Sequence, residues 1–200
     1  MTFDELKPAY DCDGFAVVRG FLPPADFAEL TRELDRYIRD VVPTLPDSAA
    51  FYLDRARPET LKQLQHMTAD AYFAGYAAHP RWLALDPVDD SNGCLRYVAG
   101  SHRRGVRPHG RSAIIGFSQG ITDYADGDRE REVAIQLQPG DAVAHHGNTI
   151  HRAEPNHSPT RHRRAFAMVF RGASCRRDEE AFARYQSAVK AQHAVMGLKT

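Results

Sequence analysis

Residues 140–166 read GDAVAHHGNTIHRAEPNHSPTRHRRAF and hold five of the ten histidines in the 200-residue chain, together with four arginines. Gln138 to Asp141 has the composition of a turn, AVAHHG (142–147) that of a strand, and NTIH (148–151) returns the chain to a strand end at His151. Arg163 and Arg164 then open RAFAMVFR (164–171), where Phe166, Met168 and Phe170 alternate with neighbours at the period of a sheet with one buried face. A strand end can hold an imidazole rigidly toward a metal, and a guanidinium fork matches a carboxylate. Each feature also has a plainer reading. A lone loop histidine is usually solvated, and an RHRR run on a strand edge discourages edge-to-edge association. Their concentration in one strand-turn-strand unit is what points to a site.

Outward from this stretch, the region from Trp82 onward breaks into short apolar runs between Gly, Pro, Asn and Asp: WLALDP, CLRYVAG, AIIGF and REVAIQLQ. These read as strands, with Val133, Ile135 and Leu137 on one face of the last. The first 81 residues read differently. Thr2 and Glu5 have capping-box spacing for a helix ending near Asp13-Gly14, and FAVVRGF (15–21) is a strand. In ADFAELTRELDRYIRDVV, Phe27, Leu30, Leu34, Tyr37, Ile38 and Val41 recur at helical spacing. Pro43 to Ala50 reads as a loop, and a second, broken helix is expected from Glu59 to Ala78, ahead of Pro80. A last helix is expected over 178–195. A helical part (1–81), a strand-rich part (82–171) and this C-terminal helix predict one domain over 1–200: an antiparallel sandwich or barrel with helices outside.

Composition bounds the function. Hydrophobic residues at 42% and charged ones at 26% suit a packed domain. Lys plus Arg, 26, balances Asp plus Glu, 26, so no net field steers the chain to nucleic acid or an anionic membrane. Cys12, Cys94 and Cys175 form no CxxC pair, which fits a reduced, cytoplasmic chain. No run reaches the roughly 18 apolar residues of a membrane span, and the acidic start lacks the features of a signal peptide. Neither nucleic acid nor membrane is expected as a partner, and the oligomeric state is not legible.

The order DGFAVVRGFLPP (13–24), WLALDPVDDSNGCLRYVAGSH (82–102) and QPGDAVAHHGNTIHRAEPNHSPTRHRRAF (138–166) resembles the phytanoyl-CoA dioxygenase family of non-haem iron(II), 2-oxoglutarate-dependent oxygenases. The resemblance implies a mainly β fold with flanking helices, the double-stranded β-helix or jelly roll. It implies Fe(II) as cofactor and 2-oxoglutarate as cosubstrate, whose decarboxylation to succinate by O2 is coupled to hydroxylation of a small molecule. By matching motif, His151 corresponds to the distal iron-binding histidine. Arg163 corresponds to the arginine that grips the distal carboxylate of 2-oxoglutarate, with Arg164 as the alternative because the intervening loop is one residue longer. Trp82 falls beside the cosubstrate pocket, and Asn156 and Ser158 fall in the loop that shapes it. His145 and His146 point to opposite faces of their strand, and His146 is the one expected beside the iron ligands.

One part of the family pattern is absent. The other two ligands come from an H-x-D motif ahead of the tryptophan, and no histidine of this sequence has an acid two residues on. His66 meets its nearest acid at Asp70, and His79 is followed by Pro80 and Arg81. YFAGYAAHPR runs straight into WLALDP, so a segment with two or more strands is missing between Arg81 and Trp82. Three explanations stand: the segment lies outside this sequence, the protein lacks it, or ligands come from elsewhere, such as His79, Asp86 or His146. The alternative function is a jelly-roll binding module without catalysis, taking a small anion or another protein. His102 is expected in a local hydrogen bond, HRRGVRPH (102–109) as an exposed basic loop, and Pro155 argues against a helical zinc motif at His151 and Glu154.

Overall fold

The computed structural model describes residues 2–77, 85–112, 119–170 and 172–195. In chain order the elements are α1 (Phe3–Asp13), β1 (Phe15–Val18), α2 (Pro24–Arg36), β2 (Ala50–Tyr52), β3 (Leu61–Leu64), α3 (Ala71–Ala77), β4 (Leu95–Val98), β5 (His109–Arg111), β6 (Gln119–Ile121), α4 (Asp126–Arg129), β7 (Glu132–Ile135), β8 (Ala142–His145), β9 (His151–Ala153) and α5 (Glu179–Val195). The chain forms two compact units. One comprises Met1–Thr31, Pro80–Arg107 and Asp123–Met168; the other comprises Arg32–His79, Pro108–Thr122 and Val169–Thr200.

The first unit is a jelly-roll-like sandwich of two small antiparallel sheets. β8 pairs with β1, and β4 is flanked by β7 and β9. Because cross-strand partners share a face, the register decides what meets in the middle. Phe15 lies opposite His145 and Val17 opposite Val143 in one sheet. In the other, Tyr97 lies between Val133 and His151, and Leu95 between Ile135 and Ala153. The faces close on a core of Phe15, Val88, Cys94, Tyr97, Ile135 and Leu137, with the rings of Phe15 and Tyr97 stacked at 4.9 Å.

The ends of the sheets are fixed by a few polar groups. Asp141, 4% exposed, accepts from the backbone N–H of Gly20 (2.9 Å) and of Gln138 (2.9 Å) and from Arg19 (2.6 Å), tying β1 to the turn before β8. Gly14 ends α1 at φ 83°, and a Cβ there would strike the ring of His102 and, at 2.6 Å, the hydroxyl of Thr149. Asn92 is fully buried; its side chain accepts from Asp89 N–H (2.8 Å) and donates to the carbonyls of Pro87 (2.9 Å) and His162 (3.0 Å). It ties the approach to β4 to the loop before Arg163.

In the second unit, Tyr37 packs edge-on against Phe73 at 5.3 Å, and Arg36 joins Glu33 and Asp70. β2 and β3 form one hairpin, β5 and β6 another, and on α5 the buried Gln192 donates to Ser112 O at 2.8 Å.

Two expectations are corrected. The helix expected over Glu59–Ala78 exists only as α3; Leu61–Leu64 instead pairs with Ala50–Tyr52, which falls partly in the expected loop. Leu61 and Leu64, three apart, suit a helical stripe, but the hairpin supplies their backbone partners. RAFAMVFR does not continue as a strand. Leu85 and Asp86 donate their N–H groups to Arg164 O, while residues 166–170 are irregular, with Val169 and Phe170 exposed. The expected strands at 82–84 and 113–117, His79 and the Arg81–Trp82 junction lie outside the described residues, as does Trp82 itself. Among the described residues no helix is long and apolar enough to cross a membrane.

Candidate functional site

The inner face of the sandwich ends in imidazoles. His151 opens β9 beside Tyr97, with ring centres 5.6 Å apart, and His145 closes β8, its ring 5.4 Å from Tyr97 and 4.8 Å from His151. Burial pushes the Tyr97 phenol up to about 12, so it stays a neutral wall under both imidazoles. Each ring is oriented by a backbone carbonyl, His151 Nδ1 on Thr149 O at 2.9 Å and His145 Nδ1 on His146 O at 3.3 Å. The His145 residue is open at its edge, yet its ring is packed among its neighbours. That packing lowers its pKa, and the nearby His151 lowers it further.

His146 stands elsewhere. Its ring is 5.5 Å from that of His102, and its Nδ1 accepts the N–H of Asn148 at 3.0 Å. His102, expected in a local hydrogen bond, has its Nδ1 buried without a partner among the described residues. Strand alternation sends one member of the His145-His146 pair toward His151, and the register with Phe15 selects His145.

Arg163 and Arg164 also separate. Arg164 forms an ion pair with Asp86 (Nη2 to Oδ1, 2.9 Å), which also accepts the Arg164 backbone N–H. Burial acts to raise the Asp86 pKa, but Arg164 outweighs it, and the carboxyl sits below its ordinary value. Arg163 donates instead to two backbone carbonyls, Gly93 and, at 2.9 Å, Glu154. No carboxylate side chain pairs with it among the described residues, and burial pulls its pKa below the ordinary arginine value. Gly93, at φ 81°, lets the guanidinium approach; a Cβ there would meet the Pro155 carbonyl at 2.8 Å and Arg163 Nη1 at 2.9 Å. Glu154 lies three residues beyond His151, on the order of 10 Å along extended chain.

Asn156 and Ser158 brace the intervening loop. Asn156 donates to Arg161 O (2.7 Å) and accepts from Ser158 N–H (2.9 Å), while the Ser158 hydroxyl accepts from Arg161 N–H at 3.1 Å. Arg161 in turn binds Asp89 (2.7 Å) and Ser91 (3.0 Å), and the hydrogen bonds from Ser91 and Arg161 hold the Asp89 carboxyl down at about 2.

The arrangement therefore offers two imidazoles at one point and a half-buried cation free for a carboxylate. It does not offer three metal ligands. Among the described residues no group of three His, Cys, Asp or Glu side chains could hold a metal ion. The facial triad of two histidines and an acid is not assembled there, whereas Arg163 suits the far carboxylate of a small diacid. The roles of Asn92, Tyr97 and His145 were not legible beforehand. For His145 the alternation of AVAHH left the choice between it and His146 open, and only the pairing of Phe15 with His145 across β1 and β8 turns it inward.

Residues 72–165 match the family model described as phytanoyl-CoA dioxygenase. Curated relatives include the peroxisomal phytanoyl-CoA dioxygenase of Homo sapiens, 28% identical over 98 residues, covering 47% of this chain and 28% of the relative. Phytanoyl-CoA dioxygenase 1 of Oryza sativa subsp. japonica is 34% identical over 80 residues, 39% of this chain and 27% of the relative. The chain thus spans about a third or less of the length of the curated relatives it matches. Among solved structures, apo EctD from S. alaskensis superposes with a TM-score of 0.59 at 15% identity, over 80% of this chain and 73% of that one. The epimerase SnoN, crystallised with Fe3+, alpha-ketoglutarate and nogalamycin RO, gives 0.57 at 16% identity over 78% of each chain. At these identities the likeness is one of fold.

Proposed function

We propose, from the match of residues 72–165 to the phytanoyl-CoA dioxygenase family model, that the chain serves iron(II)- and 2-oxoglutarate-dependent oxidation of a small molecule by O2. The observation that carries the reading is Arg163: a partly buried guanidinium, held by backbone carbonyls and without an acid partner among the described residues, at the far end of the strand that begins with His151. Arg163 binds the distal carboxylate of 2-oxoglutarate, and His151 is the iron-binding histidine. Asn156 and Ser158 act by fixing the loop that delivers Arg163, and Trp82 belongs to the cosubstrate pocket by its motif. Iron, when bound, supplies the oxidising chemistry, and the chain's own residues bind and orient the cosubstrate. The acid ligand and the other histidine of the usual set have no counterparts in the sequence, so no step is assigned to them.

The test is succinate release from 2-oxoglutarate under air with Fe(II) and no further substrate. Succinate above the protein-free rate, abolished in His151→Ala and reduced in Arg163→Ala, is the expected result. Binding of 2-oxoglutarate without any succinate would leave the second reading, a dicarboxylate-binding module, which the missing H-x-D motif favours. No binding at all would overturn both.

A further inference from the structure

We infer that His145 and His151 together form a two-nitrogen metal site in which His145 takes a place that the family motif does not give it. This deepens the oxygenase reading, and its sense as an iron site rests on that reading, though the geometry stands by itself. A backbone carbonyl only accepts hydrogen bonds, so each ring carries its proton on Nδ1: His151 toward Thr149 O at 2.9 Å, His145 toward His146 O at 3.3 Å. Both rings are thereby set in the same tautomer, with the lone pair on Nε2, and neither Nε2 has a hydrogen-bond partner among the described residues. A carbonyl on the far nitrogen is the usual support of a metal-bound histidine.

The spacing agrees. Two imidazoles on one ion, at about 2.1 Å per metal–nitrogen bond and with bonds about 90–110° apart, have ring centres roughly 4.5–5.3 Å apart. The pair here stands at 4.8 Å. His102 and His146 make an internal contrast at 5.5 Å, because His146 Nδ1 accepts an N–H and its neutral ring must carry the proton on Nε2. Both His145 and His151 remain open to solvent, so an ion can reach them. With no acid in the group, the other positions fall to water or to the carboxylate of a bound ligand.

Cu(II) alone is the probe, followed by calorimetric titration and by paramagnetic resonance on the tag-free full chain. One ion per chain bound through two imidazole nitrogens is expected. His145→Phe keeps a ring against Phe15 and Tyr97 but has no nitrogen; it should weaken binding by about tenfold or more and leave one imidazole in the spectrum. His151→Ala should do the same, and His146→Ala should change neither. A wild-type spectrum with a single imidazole, unchanged affinity in His145→Phe, or loss in His146→Ala would overturn the inference. If the two-imidazole signal is present but 2-oxoglutarate neither binds nor turns over, the oxygenase reading fails and the metal site stands. If turnover occurs while His145→Phe keeps its copper, the converse holds.

Discussion

Arg163 and Arg164 are adjacent residues with separate tasks, and substitution should separate them. Arg164→Ala leaves Asp86, whose side chain is only 13% exposed, without its cation. A loss of about 1–3 kcal/mol in unfolding free energy is expected, read by urea denaturation. Arg163→Ala removes a charged contact to bound ligand, worth about 1.5–3 kcal/mol, so 2-oxoglutarate should bind roughly 10–100-fold more weakly. An Arg164→Ala variant that loses 2-oxoglutarate without losing stability would reverse the assignment. At this scale the sequence singled out one cluster and left two choices open within it. Arg163 and Arg164 part company outside any strand, and His145 and His146 part at the end of one; which member turns inward depends on partners distant in sequence: Gly93 and Glu154 for Arg163, and Phe15 for His145.

The strands that frame the site were legible because they carry strong local signals. β1, β4, β7 and β8 follow from alternation between turn residues, and α1 and α2 from a capping box and a helical stripe. The β2–β3 hairpin was not, because its strands are three and four residues long and Leu61 and Leu64 fit either period. RAFAMVFR shows the limit of alternation, which marks a strand's faces but cannot supply an edge for it to join. Two predictions belong to these elements. Asp141→Ala leaves the N–H groups of Gly20 and Gln138 unpaired at the β1–β8 junction and should cost about 2–4 kcal/mol, measured as a fall in Tm and urea midpoint. Asp86, Asp128, Glu132 and Asp141 are all largely buried carboxyls held below their ordinary pKa values, burial being outweighed by arginines and backbone N–H groups. A lowered folded-state pKa means the unfolded chain takes up protons first. The stability these carboxyls contribute is therefore present above the ordinary carboxylate range and is lost as pH falls through their lower folded values. A urea midpoint that stayed level on acidification through this range would contradict that account.

For the whole molecule, the fold agrees with the family model that residues 72–165 match, while the imidazole pair departs from that family's ligand motif. The sandwich resembles those of EctD and SnoN, and the matched segment contains both His151 and Arg163. Yet the H-x-D motif is missing from the sequence, and the described residues assemble no three-ligand cluster. That absence could be read directly, since a motif two residues apart needs no tertiary information. Its partial replacement by His145 could not, because it depends on two sheets closing face to face around Phe15 and Tyr97. The most direct test of the site as a whole is calorimetric titration of 2-oxoglutarate into the Fe(II)-treated chain without oxygen, wild type beside Arg163→Ala. Saturable one-to-one binding that weakens at least about tenfold in the variant is the predicted result. Equal affinity in the two proteins, or none in the wild type, would contradict the assignment of Arg163 as the cosubstrate's anchor.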